Sequence, residues 1–187
     1  MTRVAHTPVG AETTSPYWFT VGAWSYMAYI VQHPRSDVTG YEGYAGYVGP
    51  FPTWPRPALA TWVELQYPMG DAKHKVLSSP MVTIDSIGET GKIEYHWLYR
   101  SGDAYGGETA AAIVTKAGTA DKYVYKFADD GESKGSTVDV SHNPDFTSIL
   151  NIEGKIFSIT QYESPSPGVA YLSELEQDDH GKLTVSP

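Results

Sequence analysis

The clearest alternation of hydrophobic and polar positions lies near the carboxyl end of the sequence. Residues 156–163 alternate as a half-buried β-strand does; one face takes Ile156, Ser158, Thr160 and Tyr162, and the other takes Phe157, Ile159, Gln161 and Glu163. We expect the strand to end at Glu163, because the Ser-Pro-Ser-Pro-Gly segment at 164–168 cannot continue a hydrogen-bonded ladder. Residues 169–174 alternate again, which predicts a returning antiparallel strand.

Patterns on either side extend this picture to the whole chain. The segment Asp178–Gly181 predicts a second turn, followed by a strand over 182–185. Residues 17–31 are apolar and aromatic, and they form either two strands hinged at Gly22 or a buried helix; their aromatic richness and the glycine favour strands. Residues 1–16 are small and polar, so we expect a flexible leader before a single all-β domain over 17–187.

The middle of the chain predicts one strand and one hairpin. Residues 59–67 alternate, with one face formed by Leu59, Thr61, Val63, Leu65 and Tyr67. The apolar runs 81–87 and 93–99 flank a turn segment at 88–92, so we expect them to pair as a hairpin. The two faces of its second strand hold Ile93, Tyr95, Trp97 and Tyr99 on one side, and Glu94, His96 and Leu98 on the other.

Two polar segments follow that could be turns or ion sites. Residues 109–115 and 122–128 predict another strand pair, and the acidic segment 129–135 after them lacks the ligand spacing of an EF-hand, so it predicts a turn. The loop 100–108 combines an arginine, two carboxylates and glycines, which phosphate and metal sites use. It has no Gly-Lys-Ser/Thr ending, and a simple hairpin loop is the other interpretation.

Glycine and tyrosine recur every three residues between positions 40 and 49. Glycines at 40, 43, 46 and 49 disfavour a helix, so we expect a loop or polyproline-like segment that packs its tyrosine rings on the core. The alternative is an exposed aromatic surface that stacks on a sugar or peptide, formed by Tyr41, Tyr44, Tyr47 and Trp54.

Composition excludes several classes of function. The chain has 187 residues and a net charge of −9, with 22 acidic and 13 scattered basic residues, so we expect no nucleic-acid partner. It contains no cysteine, which excludes disulfides and thiolate chemistry within this sequence. Its apolar segment 17–31 is too short and too interrupted to span a membrane.

Motifs that would make an active site by themselves are missing from the sequence. There is no Gly-x-Ser-x-Gly elbow and no His-Glu-x-x-His pair. His96 lies within a predicted strand, where packing is the simplest role, and His142 precedes Asn143-Pro144 at a predicted turn. The remaining candidate is Glu163, a carboxylate at the end of a strand beside a rigid turn, where sites in all-β proteins are commonly built.

A family resemblance gives this carboxylate a role. Residues 159–178, Ile-Thr-Gln-Tyr-Glu-Ser-Pro-Ser-Pro-Gly-Val-Ala-Tyr-Leu-Ser-Glu-Leu-Glu-Gln-Asp, preceded by Asn-Pro-Asp-Phe-Thr-Ser-Ile-Leu at 143–150, resemble the PhoX-type alkaline phosphatases over about residues 140–184. The resemblance implies an antiparallel meander within a β-propeller, a calcium- and iron-dependent phosphomonoesterase acting on a phosphate ester, and Glu163 as a metal ligand. It also implies an exported protein, periplasmic or extracellular.

The chain departs from that family in length and in its ligand set. A propeller blade takes roughly 40–50 residues, so we expect an amino-terminal portion of a propeller, with a β-sandwich as the alternative fold. The family's metal centre also draws on a cysteine and on later carboxylates, which would come from a missing carboxy-terminal part or another subunit. We therefore expect no activity from this chain alone; the alternative function is a non-catalytic binding or structural β module that uses aromatic residues.

Overall fold

The fold consists of short antiparallel strands. The computed structural model describes residues 2–33, 43–53, 60–84, 89–105, 108–112, 125–127, 134–163 and 168–186. A 3-10 turn, Gly70–His74, is the helical element of this described part. The strands are β1 Ala5–His6, β2 Glu12–Val21, β3 Trp24–Gln32, β4 Tyr44–Pro52, β5 Ala60–Trp62, β6 Leu77–Ser78, β7 Met81–Ile84, β8 Glu89–Lys92, β9 Glu94–Arg100, β10 Ala104–Tyr105, β11 Glu108–Thr109, β12 Tyr125–Phe127, β13 Lys134–Val138, β14 Asn143–Ile152, β15 Lys155–Glu163, β16 Val169–Gln177 and β17 Leu183–Val185.

Three antiparallel sheets form the body of the described structure. Sheet I has the strand order β2-β3-β4-β9, sheet II has the order β14-β15-β16-β17, and sheet III has the order β5-β7-β8. Three two-stranded pairs, β1-β6, β10-β11 and β12-β13, accompany them. The predicted all-β, antiparallel class is confirmed, and none of these described sheets closes into a barrel.

Sheet I lies in the middle and is covered on both faces. One hydrophobic cluster joins residues such as Tyr26, Tyr47 and Leu98 of sheet I to Ile156 and Leu183 of sheet II. A second cluster joins the opposite face of sheet I to β7 of sheet III. A strand covered on both faces is apolar along its length rather than alternating, which explains the continuous burial of β3.

The strand pair predicted over 17–31 is confirmed. Strands β2 and β3 pair from Glu12↔Gln32 to Val21↔Trp24, and the turn lies at Gly22 and Ala23. Gly22 has φ +58, which favours glycine because it lacks a Cβ atom. Strand β2 begins at Glu12 and β1 pairs with β6, so parts of the expected leader are strands.

Sheet II agrees with the alternation in the sequence. On β15 the side chains of Ile156, Ser158, Thr160 and Tyr162 are buried, and the intervening residues are more exposed. Strand β16 alternates in the same way, and the turn at 178–181 leads into β17. The sequence pattern did not predict β14 as a strand; it forms a long hairpin with β15.

The prediction of a loop over the glycine- and tyrosine-rich segment is wrong for residues 44–52. This segment is β4, in the middle of sheet I between β3 and β9. Gly46 is needed there because a Cβ atom would lie 2.2 Å from the carbonyl oxygen of His96. The prediction that tyrosine rings pack on the core holds for Tyr47, which is fully buried.

Two predictions for the middle of the chain are also wrong. The strand over 59–67 is limited to β5, because Val63 and Tyr67 are exposed and find no sheet to cover them. In the predicted hairpin, β7 pairs with β8 rather than with β9, and β9 joins sheet I beside β4. Residues 89–92, predicted as turn, are therefore a strand.

A register shift in β9 changes which of its side chains are buried. Ala45 pairs with Tyr99 and Gly46 pairs with Trp97, so Leu98 is an extra residue between them. Such a bulge breaks the two-residue period. As a result Leu98 and Tyr99 are both buried, whereas Trp97 is 54% exposed, contrary to the predicted face.

The predicted pairing of 109–115 with 122–128 is wrong as well. Strand β12 pairs with β13, and β11 pairs with β10. Ala112 instead forms a bridge with Val140. Of the acidic segment 129–135, predicted as a turn, residues 129–133 lie outside the described residues, and residues 134–135 begin β13 instead. Within the residues described, no helix is long and apolar enough to cross a membrane.

Candidate functional site

Glu163 occupies the position that the sequence predicted for it. It is the last residue of β15, opposite Asn143 of β14. Its side chain is exposed, while its neighbour Tyr162 points to the buried face of sheet II. The hydroxyl of Ser141 donates a hydrogen bond to the carbonyl oxygen of Glu163, which fixes the peptide at this strand end.

The described residues around Glu163 do not complete a metal centre. Calcium takes six to eight oxygen ligands, and iron sites likewise need several donors. Within the described part of the chain, no group of three His, Cys, Asp or Glu side chains is close enough to hold a metal ion. One exposed carboxylate therefore does not fit a resident calcium–iron cluster without donors from elsewhere.

The polar loop after β9 forms a local ion pair. The guanidinium of Arg100 donates to Oδ1 of Asp103 through Nη2 at 2.7 Å and Nε at 3.0 Å, and Asp103 N–H donates to the Arg100 carbonyl. These bonds close the turn between β9 and β10. The hairpin interpretation of this loop is supported by the β10-β11 pairing.

His96 and His142, the two histidines considered in the sequence, make contacts that support the fold. His96 lies against the ring of Tyr47, with ring centroids 5.3 Å apart, and burial lowers the pKa of its imidazole below the usual value. The carbonyl of His142 accepts a hydrogen bond from the N–H of His33.

The alternative of an exposed aromatic surface between 41 and 54 is not supported by its central residue. Tyr47 is fully buried, and its hydroxyl donates to the Leu183 carbonyl at 3.1 Å and accepts from the Leu183 N–H at 2.8 Å. Tyr44 is half-buried. The structure does not describe Tyr41 or Trp54.

Tyrosine hydroxyls join sheets I and II at several points. Tyr47 is one example. Tyr26 is another: its hydroxyl donates to the carbonyl of Gly181 and accepts from the side chain of Gln177. Tyr17 accepts from the N–H of Ile149. Because a tyrosine carries a polar tip on an apolar ring, it can fill the core and satisfy backbone groups of another sheet.

A cavity of about 350 Å³ lies where this tyrosine-rich interface reaches the edge of β16. Its walls come from β9, the β10-β11 pair, the segment 110–111, β15, β16 and the end of β17. Four tyrosine rings line it in two edge-to-face pairs. Tyr99 and Tyr105 have centroids 5.6 Å apart, and Tyr162 and Tyr171 have centroids 6.0 Å apart.

The hydroxyls of these rings differ in their partners. Tyr99 shares a hydrogen bond of 2.8 Å with Ser158, and Tyr171 donates to the carbonyl of Ala112. The Tyr162 side chain is buried, and its hydroxyl has no hydrogen-bond partner within the described structure. Burial raises the pKa of Tyr162 well above the usual value, so this hydroxyl stays protonated near neutral pH.

The alternation patterns in the sequence do not predict this cavity. The alternation at 156–163 places Tyr162 on the buried face, and that at 169–174 places Tyr171 there. Nothing in those patterns brings Tyr99 and Tyr105, which are more than fifty positions earlier, to the same wall. Tyr162, the β15 residue that lines the cavity, and Glu163 point to opposite faces of β15, so we treat them as separate candidates.

These features define an all-β protein of stacked antiparallel sheets with an exposed strand-end carboxylate and a tyrosine-lined cavity. No protein-family model, no curated protein and no solved structure matches the chain.

Proposed function

We propose that this chain forms part of a PhoX-type, metal-dependent phosphomonoesterase, to which it contributes Glu163 as one metal ligand. The observation that carries the proposal is the arrangement of sheet II. Residues 143–185 form four antiparallel strands in sequence order, with Glu163 at the end of the second strand. This is the strand number and order of a propeller blade, and the span suits one blade of roughly 40–50 residues.

The stacking of the sheets also supports a propeller-like arrangement. Sheets II, I and III pack face to face through two separate hydrophobic clusters, and neighbouring propeller blades pack in this way. Two facing four-stranded sheets would also suit a β-sandwich. A third sheet on the far face of sheet I favours the propeller, because a sandwich has two layers.

The chemistry assigned to Glu163 is that of a charged oxygen ligand. When bound, calcium and iron would polarise a phosphate ester and activate an oxygen nucleophile. This chain supplies an exposed carboxylate whose peptide is held by Ser141. The described residues do not complete a metal centre around it, so we propose that the other donors come from further polypeptide or another subunit and that the chain alone does not hydrolyse phosphate esters.

Terbium binding tests the role of Glu163 directly. Terbium substitutes for calcium and is excited through nearby tyrosine and tryptophan rings. We expect weak binding by the chain, reduced at least threefold in Glu163→Gln. The matched control is Glu153→Gln, which removes an exposed carboxylate at the other end of the same hairpin and should leave binding unchanged. Equal binding by all three proteins would remove Glu163 as a ligand.

Activity tests the proposal as a whole. The native assembly that contains this chain, captured from its source with an antibody, should contain calcium and iron and hydrolyse p-nitrophenyl phosphate. The purified 187-residue chain should not hydrolyse it under the same conditions. A native assembly with neither metal nor hydrolysis would contradict the proposal.

A non-catalytic binding module is the second candidate, and the tyrosine-lined cavity favours it. The surface of Tyr41, Tyr44, Tyr47 and Trp54 does not support it, because Tyr47 is buried. A volume of about 350 Å³ lies within the range of small-molecule sites, roughly 300–1,000 Å³. The two candidates are compatible, since they use different side chains of β15, Tyr162 and Glu163, which point to opposite faces.

A further inference from the structure

The cavity beside Tyr162 has the features of a built small-molecule site. It is concave, its walls are mainly rings and small side chains, and it lies between segments that are distant in sequence. Sites for small ligands combine an apolar lining with a few polar groups that fix orientation. The question is which chemistry this lining would accept.

The charge of the walls argues for an uncharged ligand. Among the described residues that line the cavity there is no Lys, Arg or His, so nothing would pair with a phosphate or a carboxylate. Among the described lining residues the acidic one is Glu174, an exposed side chain whose two carboxylate oxygens accept from Nζ of Lys155, at 3.0 and 3.2 Å. A buried charge without a partner is costly. A cation would have to compete with Lys155 for the Glu174 carboxylate, so the lining favours an uncharged ligand.

Tyr162 is one of the lining residues, and its hydroxyl is the candidate for the polar contact. It is buried and has no hydrogen-bond partner among the described residues, which is unusual for a buried polar group. A neutral phenol can both donate and accept a hydrogen bond. A ligand with one alcohol, amide or carbonyl group would satisfy it, and the facing tyrosine rings would pack on a planar body.

We propose that this cavity binds a small, uncharged, ring-bearing molecule through one hydrogen bond to the Tyr162 hydroxyl. The ring lies among Tyr99, Tyr105 and Tyr171. The hydroxyls of Tyr99 and Tyr171 bond within the protein, and the Tyr105 hydroxyl contacts the backbone of Arg100, so Tyr162 would determine the orientation of the ligand. This site is independent of any metal bound at Glu163, and its test does not depend on phosphatase activity.

Four probes of one shape separate the contributions of ring, hydrogen bond and charge. These are benzyl alcohol, toluene, benzoate and benzylammonium, titrated into the full chain and followed by ligand-detected NMR. We expect benzyl alcohol to bind most tightly of the four. Benzoate and benzylammonium should bind at least tenfold more weakly, because neither charge would find a partner.

The variant Tyr162→Phe removes the hydroxyl and keeps the ring. It should weaken benzyl alcohol about five- to tenfold, the effect of one buried hydrogen bond, and should leave toluene unchanged. The matched control is Tyr29→Phe, which removes another buried hydroxyl without a described partner, outside this cavity. It should leave every probe unchanged.

A second measurement locates the binding. With tyrosine rings labelled with carbon-13, benzyl alcohol should shift the signals of Tyr99, Tyr105, Tyr162 and Tyr171 and leave Tyr67, on the exposed surface, unmoved. Three outcomes would overturn the proposal. These are no saturable binding of benzyl alcohol, the same affinity in Tyr162→Phe and Tyr29→Phe, or preferred binding of a charged probe.

Discussion

The hydroxyl of Tyr47 connects sheets I and II in the core, and its removal tests how the two sheets are held together. Tyr47→Phe keeps the ring, so the packing of the first hydrophobic cluster is preserved. It deletes the bond donated to the Leu183 carbonyl and the bond accepted from the Leu183 N–H. Both atoms of Leu183 would then face a ring edge in the fully buried core.

The size of the effect follows from these two bonds. Each contributes about 0.5–1.5 kcal/mol net, and a buried backbone group left without a partner costs about 1–3 kcal/mol. We therefore expect Tyr47→Phe to lower the free energy of unfolding by about 2–3 kcal/mol. In a domain of this length each kcal/mol corresponds to about 2–4 °C in Tm, so Tm should fall by about 4–12 °C.

Urea unfolding, followed by tryptophan fluorescence, measures this loss through the shift of the midpoint at constant slope. Tyr29→Phe is the matched control, because the Tyr29 hydroxyl is buried but has no described partner. Removing it should be neutral or stabilising, since an unsatisfied group is lost. If Tyr47→Phe stays within about 0.5 kcal/mol of the wild type, or matches Tyr29→Phe, the hydroxyl does not hold the sheets together.

Three further predictions follow from individual residues. Gly46→Ala should destabilise the protein by more than about 3 kcal/mol in the same urea assay, because its Cβ would lie 2.2 Å from the His96 carbonyl oxygen. The control Gly154→Ala, at an open turn with φ +84, should cost about 1 kcal/mol. Equal losses in the two variants would argue against close packing at Gly46. Burial lowers the pKa of His96 below the usual 6.5, so the unfolded chain binds more protons than the folded one as pH falls below that value, and stability decreases. His96→Gln should therefore reduce the loss of stability between about pH 6.5 and 5. An unchanged dependence of stability on pH in this range would contradict the prediction. Burial raises the pKa of Tyr26 from 10.0 to about 12, so its contribution to stability is present below pH 10 and is lost as pH rises through 12. Tyr26→Phe should therefore lose less stability than the wild type as pH rises, measured as urea midpoints from pH 9 upward. An identical loss in the two proteins would rule this out.

The sequence by itself determined β15, β16 and β17 of sheet II and the position of Glu163. There one face of each strand is buried and the other is open, so the two-residue period of a strand appears directly as alternation. The proline-rich segment at 164–168 marks the end of β15, and Gly22 marks the turn between β2 and β3. These signals are local, so they can be recognised without knowing which segments pair.

Only the tertiary structure decided the arrangement of sheet I and the cavity. Strand β4 is covered on both faces and carries glycines for close approach, so it has no alternation to recognise, and its neighbour β9 comes from beyond sheet III in the chain. The bulge at Leu98, which changes the side chains that β9 exposes, also depends on pairing with β4 and cannot be recognised from β9 alone. The tyrosines of the cavity meet because sheets I and II pack together, and such a contact between distant segments leaves no periodic trace in the sequence.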